Sequence, residues 1–331
     1  MRWRVWLILF IFPLFSGELE ERVTALEAQM GEVGEETSEG TFGASFAPET
    51  FQKGWIGLFF SGEALFWHVK VGGSEYAYSL AQKALDLPQS GEVESQSFDW
   101  GVGYRFGVGV RLPILGWNLA GIYTHFGTED REANASDCYV NLKSRFTSPT
   151  DSIQSRYKID YDCIDLELRS SSFLSRFFGI ETFWGLRNAW IDQLQGIYYS
   201  ELQVKDRCRF QGIGPRLGGR LQWHLLYGAS FLAAVAGSLL YGDFEVKHRE
   251  NLVNLKGNSH LFSANVSFLI GLGWDVYGNW YHWGVTLGYE AEYYFRQNRM
   301  IEVEGLKRVQ IVRNVDDLTF YGVTIKALVE F

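Results

Sequence analysis

Between Phe98 and Leu112 apolar and polar positions alternate without a break. Phe98, Trp100, Val102, Tyr104, Phe106, Val108, Val110 and Leu112 form one set, and Asp99, Gly101, Gly103, Arg105, Gly107, Gly109 and Arg111 the other. Successive side chains of a strand point to opposite faces, so the pattern predicts a strand with one aromatic and β-branched face and one face of glycine and charge. Such a strand would extend about 50 Å at roughly 3.3 Å per residue. That is long for a soluble sheet and suits a tilted membrane strand projecting beyond a bilayer.

The same period recurs downstream. In 260–276 the apolar set is Phe262, Ala264, Val266, Phe268, Ile270, Leu272, Trp274 and Val276, and in 280–296 it is Tyr281, Trp283, Val285, Leu287, Tyr289, Ala291, Tyr293 and Phe295. Ten strands are expected, over 55–69, 98–112, 117–126, 157–170, 176–190, 209–225, 230–243, 260–275, 280–296 and 318–331. The connections after the second, fourth, sixth and eighth strands are short (113–116, 171–175, 226–229, 276–279), and the others are long. Tight turns on one side and long loops on the other describe an up-and-down antiparallel transmembrane β-barrel. Loops such as 191–208 or 244–259 could extend as a further hairpin, so the expected count is ten to twelve. An even number returns both chain ends to the periplasmic side.

Leu225 to Gly242 holds no charge over eighteen residues and by length alone suits a membrane helix. Gly228, Gly237 and Gly242 argue for a turn and a strand, because glycine forms helices poorly and a lone helix would leave strand edges unpaired in lipid. At the end of the chain Tyr321, Val323, Ile325, Ala327 and Val329 alternate with Thr324, Lys326 and Glu330 up to Phe331. A last strand closing on an aromatic residue resembles the signal that the barrel-assembly machinery reads.

The first residues follow another rule. Arg2 and Arg4 precede an uncharged run from Val5 to Phe15, too short to span a bilayer and suited to a secretory signal over 1–17. Within 18–50, expected to be a periplasmic helical segment and linker, Leu19, Val23, Leu26, Met30 and Val33 are spaced 4, 3, 4, 3 among glutamates. Two readings stand side by side: the seam of a short coiled coil over 19–33 tethering a homo-oligomer such as a trimer, and a frayed acidic spacer. The barrel is expected over 51–331.

Composition sharpens this picture. Aromatic residues make up 16% of the chain, and the tryptophans beyond residue 16 fall in or beside expected strands, as interfacial belts require. The net charge of −9 argues against nucleic acid as a partner and leaves outer-membrane lipid as the surroundings. On the lumen face the alternation places Glu63, Asp99, Arg105, Arg111, Asp165, Glu167, Arg169, Glu181, Arg187, Arg216, Arg220, Glu290, Glu292 and Arg296. Charges of both signs facing one another tune ion selectivity in a pore; equally, such pairs neutralise one another in a filled barrel. Ten strands make a narrow barrel, and the glycines at 101, 103, 107 and 109 are expected to free cross-section. Cys138, Cys163 and Cys208 are an odd number for an oxidising compartment and are disulfide candidates, with either one internal pair plus a crosslink between chains, or three thiols. The six histidines have no metal-ligand spacing, and no cofactor or catalytic group is implied. His282 with Glu290 and a serine is the best approach to a hydrolase triad.

Short motifs carry a family resemblance: Asp165-Leu-Glu-Leu168, Gly185-Leu-Arg-Asn-Ala-Trp-Ile-Asp192, Phe210-Gln-Gly-Ile-Gly-Pro-Arg216, Leu239-Leu-Tyr-Gly242, Gly288-Tyr-Glu290 and the final Phe331. In this order they resemble the pore-forming outer-membrane proteins typified by the Legionella major outer-membrane protein, with relatives in environmental chlamydiae. The resemblance covers most of the chain from about residue 55. It implies an outer-membrane pore that can form oligomers, and it carries no catalytic residues; with the pattern of strands, the expectation is a diffusion pore for small hydrophilic solutes. The other reading kept open is a structural or adhesive surface barrel with a filled lumen and cysteine-bearing loops.

Overall fold

The computed structural model describes residues 57–331 apart from 80–91, 113–116, 135–137, 141–151, 176, 200–201, 226–227, 251–252, 278–280, 305–309 and 314. The expected signal (1–17) and the helical segment with its oligomer seam (18–50) lie outside these residues. Among the described residues ten strands close a barrel. They are β1 (Gly57–Val71), β4 (Gly101–Arg111), β5 (Trp117–Asn134), β7 (Ile153–Ser175), β8 (Phe178–Tyr199), β9 (Leu202–His224), β10 (Ala229–Glu250), β11 (Val253–Tyr277), β12 (His282–Asn298) and β15 (Asp316–Glu330). Short strands β2 (Glu75–Ser79), β3 (Val93–Ser95) and β6 (Cys138–Val140) form a small sheet, and β13 (Ile301–Glu304) pairs with β14 (Gln310–Arg313). Every barrel pair is antiparallel. Closure is made by β1 against β15, from Phe59 opposite Glu330 to Val71 opposite Leu318.

Several sequence expectations are corrected. The stretches 191–208 and 244–259 are neither loops nor an extra hairpin: β8 runs on to Tyr199, β9 starts at Leu202, β10 runs to Glu250 and β11 starts at Val253. The count is therefore ten. Strand β4 begins at Gly101, and the chain before it is irregular, which reverses the expected facing of two residues. Phe98 is buried inside, edge-on to Tyr157 at 5.4 Å, while Asp99 is exposed. Arg296 is also exposed, at a bulge between Tyr294 and Asn298 where its own φ is 54°. The extra residue of a bulge shifts the parity of the strand, so counting alternate positions through it gives the wrong face.

The continuations are explained by β10. From Phe231 to Tyr241 its outward positions are Phe231, Ala233, Val235, Gly237, Leu239 and Tyr241, and beyond them come Asp243, Glu245, Lys247 and Arg249. Its inward positions change in size more than in polarity, from Ser230, Leu232, Ala234, Ala236, Ser238 and Leu240 lower down to Phe244 and Val246 above. In strand β7 both faces exchange: Ile164 and Leu166 face out below, whereas Tyr157, Ile159 and Tyr161 face in above, alternating with Lys158, Asp160 and Asp162. The lower barrel is apolar outside, as lipid demands, and polar inside. The upper barrel is apolar inside and charged outside, as water demands. Aromatic residues mark the edges of the lipid band, with Trp223, Trp274 and Trp283 near the short turns and Tyr104, Tyr123, Tyr241 and Phe262 towards the upper barrel.

Val108 sits within the band, half exposed between Phe60 and Gly121 of the neighbouring strands. Val108→Arg should cost about 2–4 kcal/mol at mid-bilayer depth. Refolding into vesicles, read by the gel-mobility difference between folded and boiled protein, should fall accordingly. Normal refolding of this variant would invert the facing of β4.

Candidate functional site: a charge-lined lumen beneath an apolar core

The band-level lumen is built from inward positions of facing strands. Arg105 on β4 reaches Glu63 on β1 at 2.7 Å and Glu290 on β12 at 3.0 Å, and its Nε donates to Thr124 on β5 at 2.9 Å. Lys326 on β15 takes the other oxygen of Glu63 at 3.2 Å, and Thr324 donates to Glu290 at 3.0 Å. Arg187 on β8 grips Asp165 on β7 with two hydrogen bonds of 2.7 Å. The same guanidinium crosses the barrel to Glu292 on β12 at 2.9 Å and to Asn265 on β11 at 2.7 Å. Arg216 on β9 donates to Glu167 at 3.0 Å, Arg169 holds Glu167 at 2.8 Å, and Arg220 stands 3.6 Å from Glu181. Six carboxylates (Glu63, Asp165, Glu167, Glu181, Glu290, Glu292) thus face six cations (Arg105, Arg169, Arg187, Arg216, Arg220, Lys326). Pairing of this density is what charges removed from bulk water require.

Access to water is graded along this set. Side-chain exposure is 30% at Arg220, 20% at Lys326 and 19% at Glu181, then 13% at Arg105 and 3% at Arg187. The band-level lumen is a vestibule whose access to water is greatest around Arg220, Lys326 and Glu181; nearest the short turns exposure falls again, to 16% at Arg111, 9% at His282 and 7% at Glu330.

Above it the lumen is closed. Trp67 from β1, Phe126 from β5, Tyr161 from β7, Ile191 from β8, Phe210 from β9, Phe244 from β10, Tyr294 from β12 and Phe320 from β15 are all 2% exposed or less. Rings meet across the barrel: Tyr161 stacks on Phe320 at 4.9 Å, and its hydroxyl is 2.9 Å from that of Tyr294. Higher still, Tyr76 and Ala77 of β2 pack with Ile153, Ile197, Tyr199 and Val204. The glycines of β4 do not open this space. A Cβ on Gly101 would lie 2.6 Å from the ring of Phe126, and one on Gly109 would lie 2.1 Å from the ring of Phe59. Glycine here admits neighbouring rings.

Of the residues assigned to the lumen from sequence, Glu63, Arg105, Arg111, Asp165, Glu167, Arg169, Glu181, Arg187, Arg216, Arg220, Glu290 and Glu292 are there, while Asp99 and Arg296 are outside. Arg111 pairs with Glu330 near the short turns. Lys326 was absent from the set although its alternation with Ile325 and Ala327 places it on the same face. Trp67, counted among the belts, belongs to the core. His282 is held between Asp275 and Glu330, each at 3.1 Å, and so ties β12 to β11 and β15 rather than standing beside Glu290. Cys163 and Cys208 are buried inside the barrel, where their thiols donate to Asp165 Oδ1 at 3.6 Å and to the carbonyl of Gln297 at 3.8 Å. The backbone of Cys138 lies in β6 opposite Ser79. Phe331 is exposed, and its backbone exchanges hydrogen bonds of 2.9 and 3.1 Å with Leu58.

A buried histidine lies in the upper barrel, beyond the lipid band. His248 on β10 is buried, with Nδ1 2.5 Å from Asp206 on β9 and Nε2 3.6 Å from Glu250. Burial draws its pKa down, but hydrogen bonds and charge from the two carboxylates outweigh this and raise it from 6.5 to about 9. A raised folded pKa means that the stabilisation is complete below pH 6.5 and is lost as pH rises through 9. Amide protection factors at the β9–β10 rim, corrected for the base-catalysed intrinsic rate, should therefore fall between these pH values. His248→Gln should flatten that dependence.

A closed antiparallel barrel with an apolar outer belt, aromatic edges and a charged lumen is an outer-membrane β-barrel. The chain belongs to the family of the Legionella pneumophila major outer membrane protein precursor, whose family model matches residues 51–331. Its place is the bacterial outer membrane. Solved structures with a similar course include the outer membrane protease OmpT of Escherichia coli (TM-score 0.48, 8% identity, 86% of this chain and 99% of that one). The translocator domain of the autotransporter NalP of Neisseria meningitidis gives 0.41 and 9%, over 95% and 97%. The Pseudomonas putida toluene transporter TodX gives 0.29 and 10%, over 85% and 90%. Likeness of this degree bears on neither the activity nor the substrate of this chain. A comparison with curated proteins found no match.

Proposed function

We propose that the chain is an outer-membrane channel for small hydrophilic solutes and ions, not an enzyme, and that the described conformation is its closed state. The observation that supports this most is the charged vestibule: ionisable groups line the band-level lumen, and Arg220, Lys326 and Glu181 keep 30%, 20% and 19% side-chain exposure there, against 3% at Arg187. A barrel that needs only to be filled has a cheaper solution, since replacing buried ion pairs by packed apolar side chains is often neutral or stabilising. The same chain uses that apolar solution higher up. Charge retained at band level supports contact with water, and an apolar constriction above it is a means of closing a pore by dewetting. We read Phe331 as the assembly signal and the seam over 19–33 as the tether of an oligomer.

A second reading is favoured by the rings that meet across the upper lumen. It is a filled surface barrel whose loops carry the function.

The test is conductance of the refolded protein in planar bilayers, with Arg220→Gln beside it. Arg220 is chosen because Arg105 is clamped between Glu63 and Glu290, so that a carboxylate at position 105 would make a cluster of three. Discrete openings, with a reversal potential moved towards cations by Arg220→Gln, are the expected result. A folded barrel that never conducts would sink the channel reading in favour of the second.

A further inference from the structure

The outer surface of the upper barrel carries a charge pattern that the lumen does not explain. On five adjacent strands the register aligns Lys158 of β7, Leu194 of β8, Arg207 of β9, Lys247 of β10 and Lys256 of β11 in one row. Two residues further from the lipid band, Arg156, Gly196, Lys205, Arg249 and Asn254 form the next. On these five strands the rows hold seven cations and no carboxylate, in a chain whose net charge is −9; on the next strand, β5, Glu129 stands opposite Lys158 and pairs with Arg156 at 2.7 Å and with Arg131 at 2.9 Å. All seven side chains point away from the lumen, and Lys205 and Arg249 are exposed. Among the described residues, neither of these two forms an ion pair.

Acidic groups occupy a different height. Asp160, Asp192 and Glu245, with Arg209 among them, lie in the row next nearer the membrane, and Asp162 and Asp243 lie at the edge of the band in a row with Trp190 and His260. Asp160 bonds Lys158 at 2.7 Å, Asp192 bonds Arg207 at 2.5 Å and Arg209 at 3.0 Å, and Glu245 bonds Lys247 at 2.9 Å and Lys256 at 3.0 Å, so these carboxylates prop the cations above them. From Ile164, the last apolar outward residue of β7, to Lys158 is about 20 Å along the strand at roughly 3.3 Å per residue, and somewhat less in height for a tilted strand.

We propose that this surface binds the phosphorylated saccharide headgroup of an outer-leaflet glycolipid. The height decides between lipids. The phosphate of a glycerophospholipid lies just outside the hydrocarbon, where this face presents Asp162 and Asp243. Phosphates standing on a sugar headgroup reach further out, to the level of Lys158, Arg207 and Lys247. Arginine and lysine interleaved on a flat sheet suit several phosphates at once, with arginine able to grip two oxygens of one group. This inference does not depend on whether the lumen conducts.

The experiment uses the full refolded chain in neutral phosphatidylcholine vesicles doped with a diphosphorylated core-bearing glycolipid, or with phosphatidylglycerol at equal charge. Lipid retained per barrel is measured after detergent extraction. The wild type should retain the glycolipid well above phosphatidylglycerol, less so at 0.5 M than at 0.1 M salt. The K205Q/R207Q/K247Q/R249Q variant should lose that retention by more than about ten-fold, with its gel-mobility shift unchanged. Should the variant not fold, the wild type with enzymatically dephosphorylated glycolipid replaces it, and retention is expected to vanish. Equal retention by the variant, equal retention of phosphatidylglycerol, or capture of soluble heparin without retention of the glycolipid would each overturn the assignment, the last pointing to an acidic glycan instead.

Discussion

Arg187→Met should destabilise the folded barrel by about 3–5 kcal/mol, because removing the guanidinium leaves Asp165 and Glu292 as uncompensated charges deep in the lumen. Few single changes in this chain should cost more. Arg187 bonds residues from three other strands and is 2% exposed, so water does not readily take its place. Urea unfolding of the refolded protein, followed by tryptophan fluorescence, reads the effect as a lower midpoint at unchanged slope. Adding Asp165→Asn and Glu292→Gln should restore most of the loss, since the neutral amides no longer need the cation. Arg187→Met alone with an unchanged midpoint would mean that water enters the network freely, and the lumen would then be wider than its packing implies.

The fold was legible wherever a single rule held. In β10 below Tyr241 and in β12 from Trp283 to Tyr293, apolar residues at every second position give strand, facing and lipid contact together, because bilayer and lumen differ in the same sense along the whole segment. The rule failed where the solvents change places. Beyond Asp243 and before Cys163 the backbone alternation continues, but apolar residues move to the other face, so a search for lipid-facing sets reads 191–208 and 244–259 as loops and, within the expected strand 157–170, misses the change of face. What would reveal them is a change of parity without a turn signal: Tyr157, Ile159 and Tyr161 occupy odd positions where Ile164, Leu166 and Leu168 occupy even ones. The lumen charges were legible for the same reason as the strands, since they are the complement of the lipid face. Their partners were not. Nothing local ties Arg187 to Glu292, which lies on a strand across the barrel, and only closure of the sheet brings them together. The bulge at Arg296 and the irregular chain at Phe98 and Asp99 are local departures from alternation, and the residues there give no sign of them.

Trp67→Ala bears most directly on whether the lumen can open. The indole lies 5.5 Å from the ring of Phe126 and 5.9 Å from that of Phe320, and its Nε1 donates to Thr324 at 3.4 Å. The guanidinium of Arg105 stands 5.6 Å from the ring centroid. Trp67 is thus the floor of the apolar core and the roof of the charged vestibule. Truncating it to alanine should cost about 3–5 kcal/mol through lost burial and the cavity left behind. Its second effect separates the two functional readings. If the core is the closed state of a channel, a cavity directly above Arg105 and Glu290 lets water from the vestibule climb past the first ring of the constriction, and bilayer recordings should give more frequent openings than the wild type. If the barrel is permanently filled, the layer of Tyr161, Tyr294 and Phe320 above the cavity keeps it sealed, and the variant should be less stable and equally silent. Phe60→Ala, on the lipid face of the same strand, controls for general loosening, because it removes apolar area without touching the lumen. Increased opening in Trp67→Ala but not in Phe60→Ala would locate the closure in the core itself.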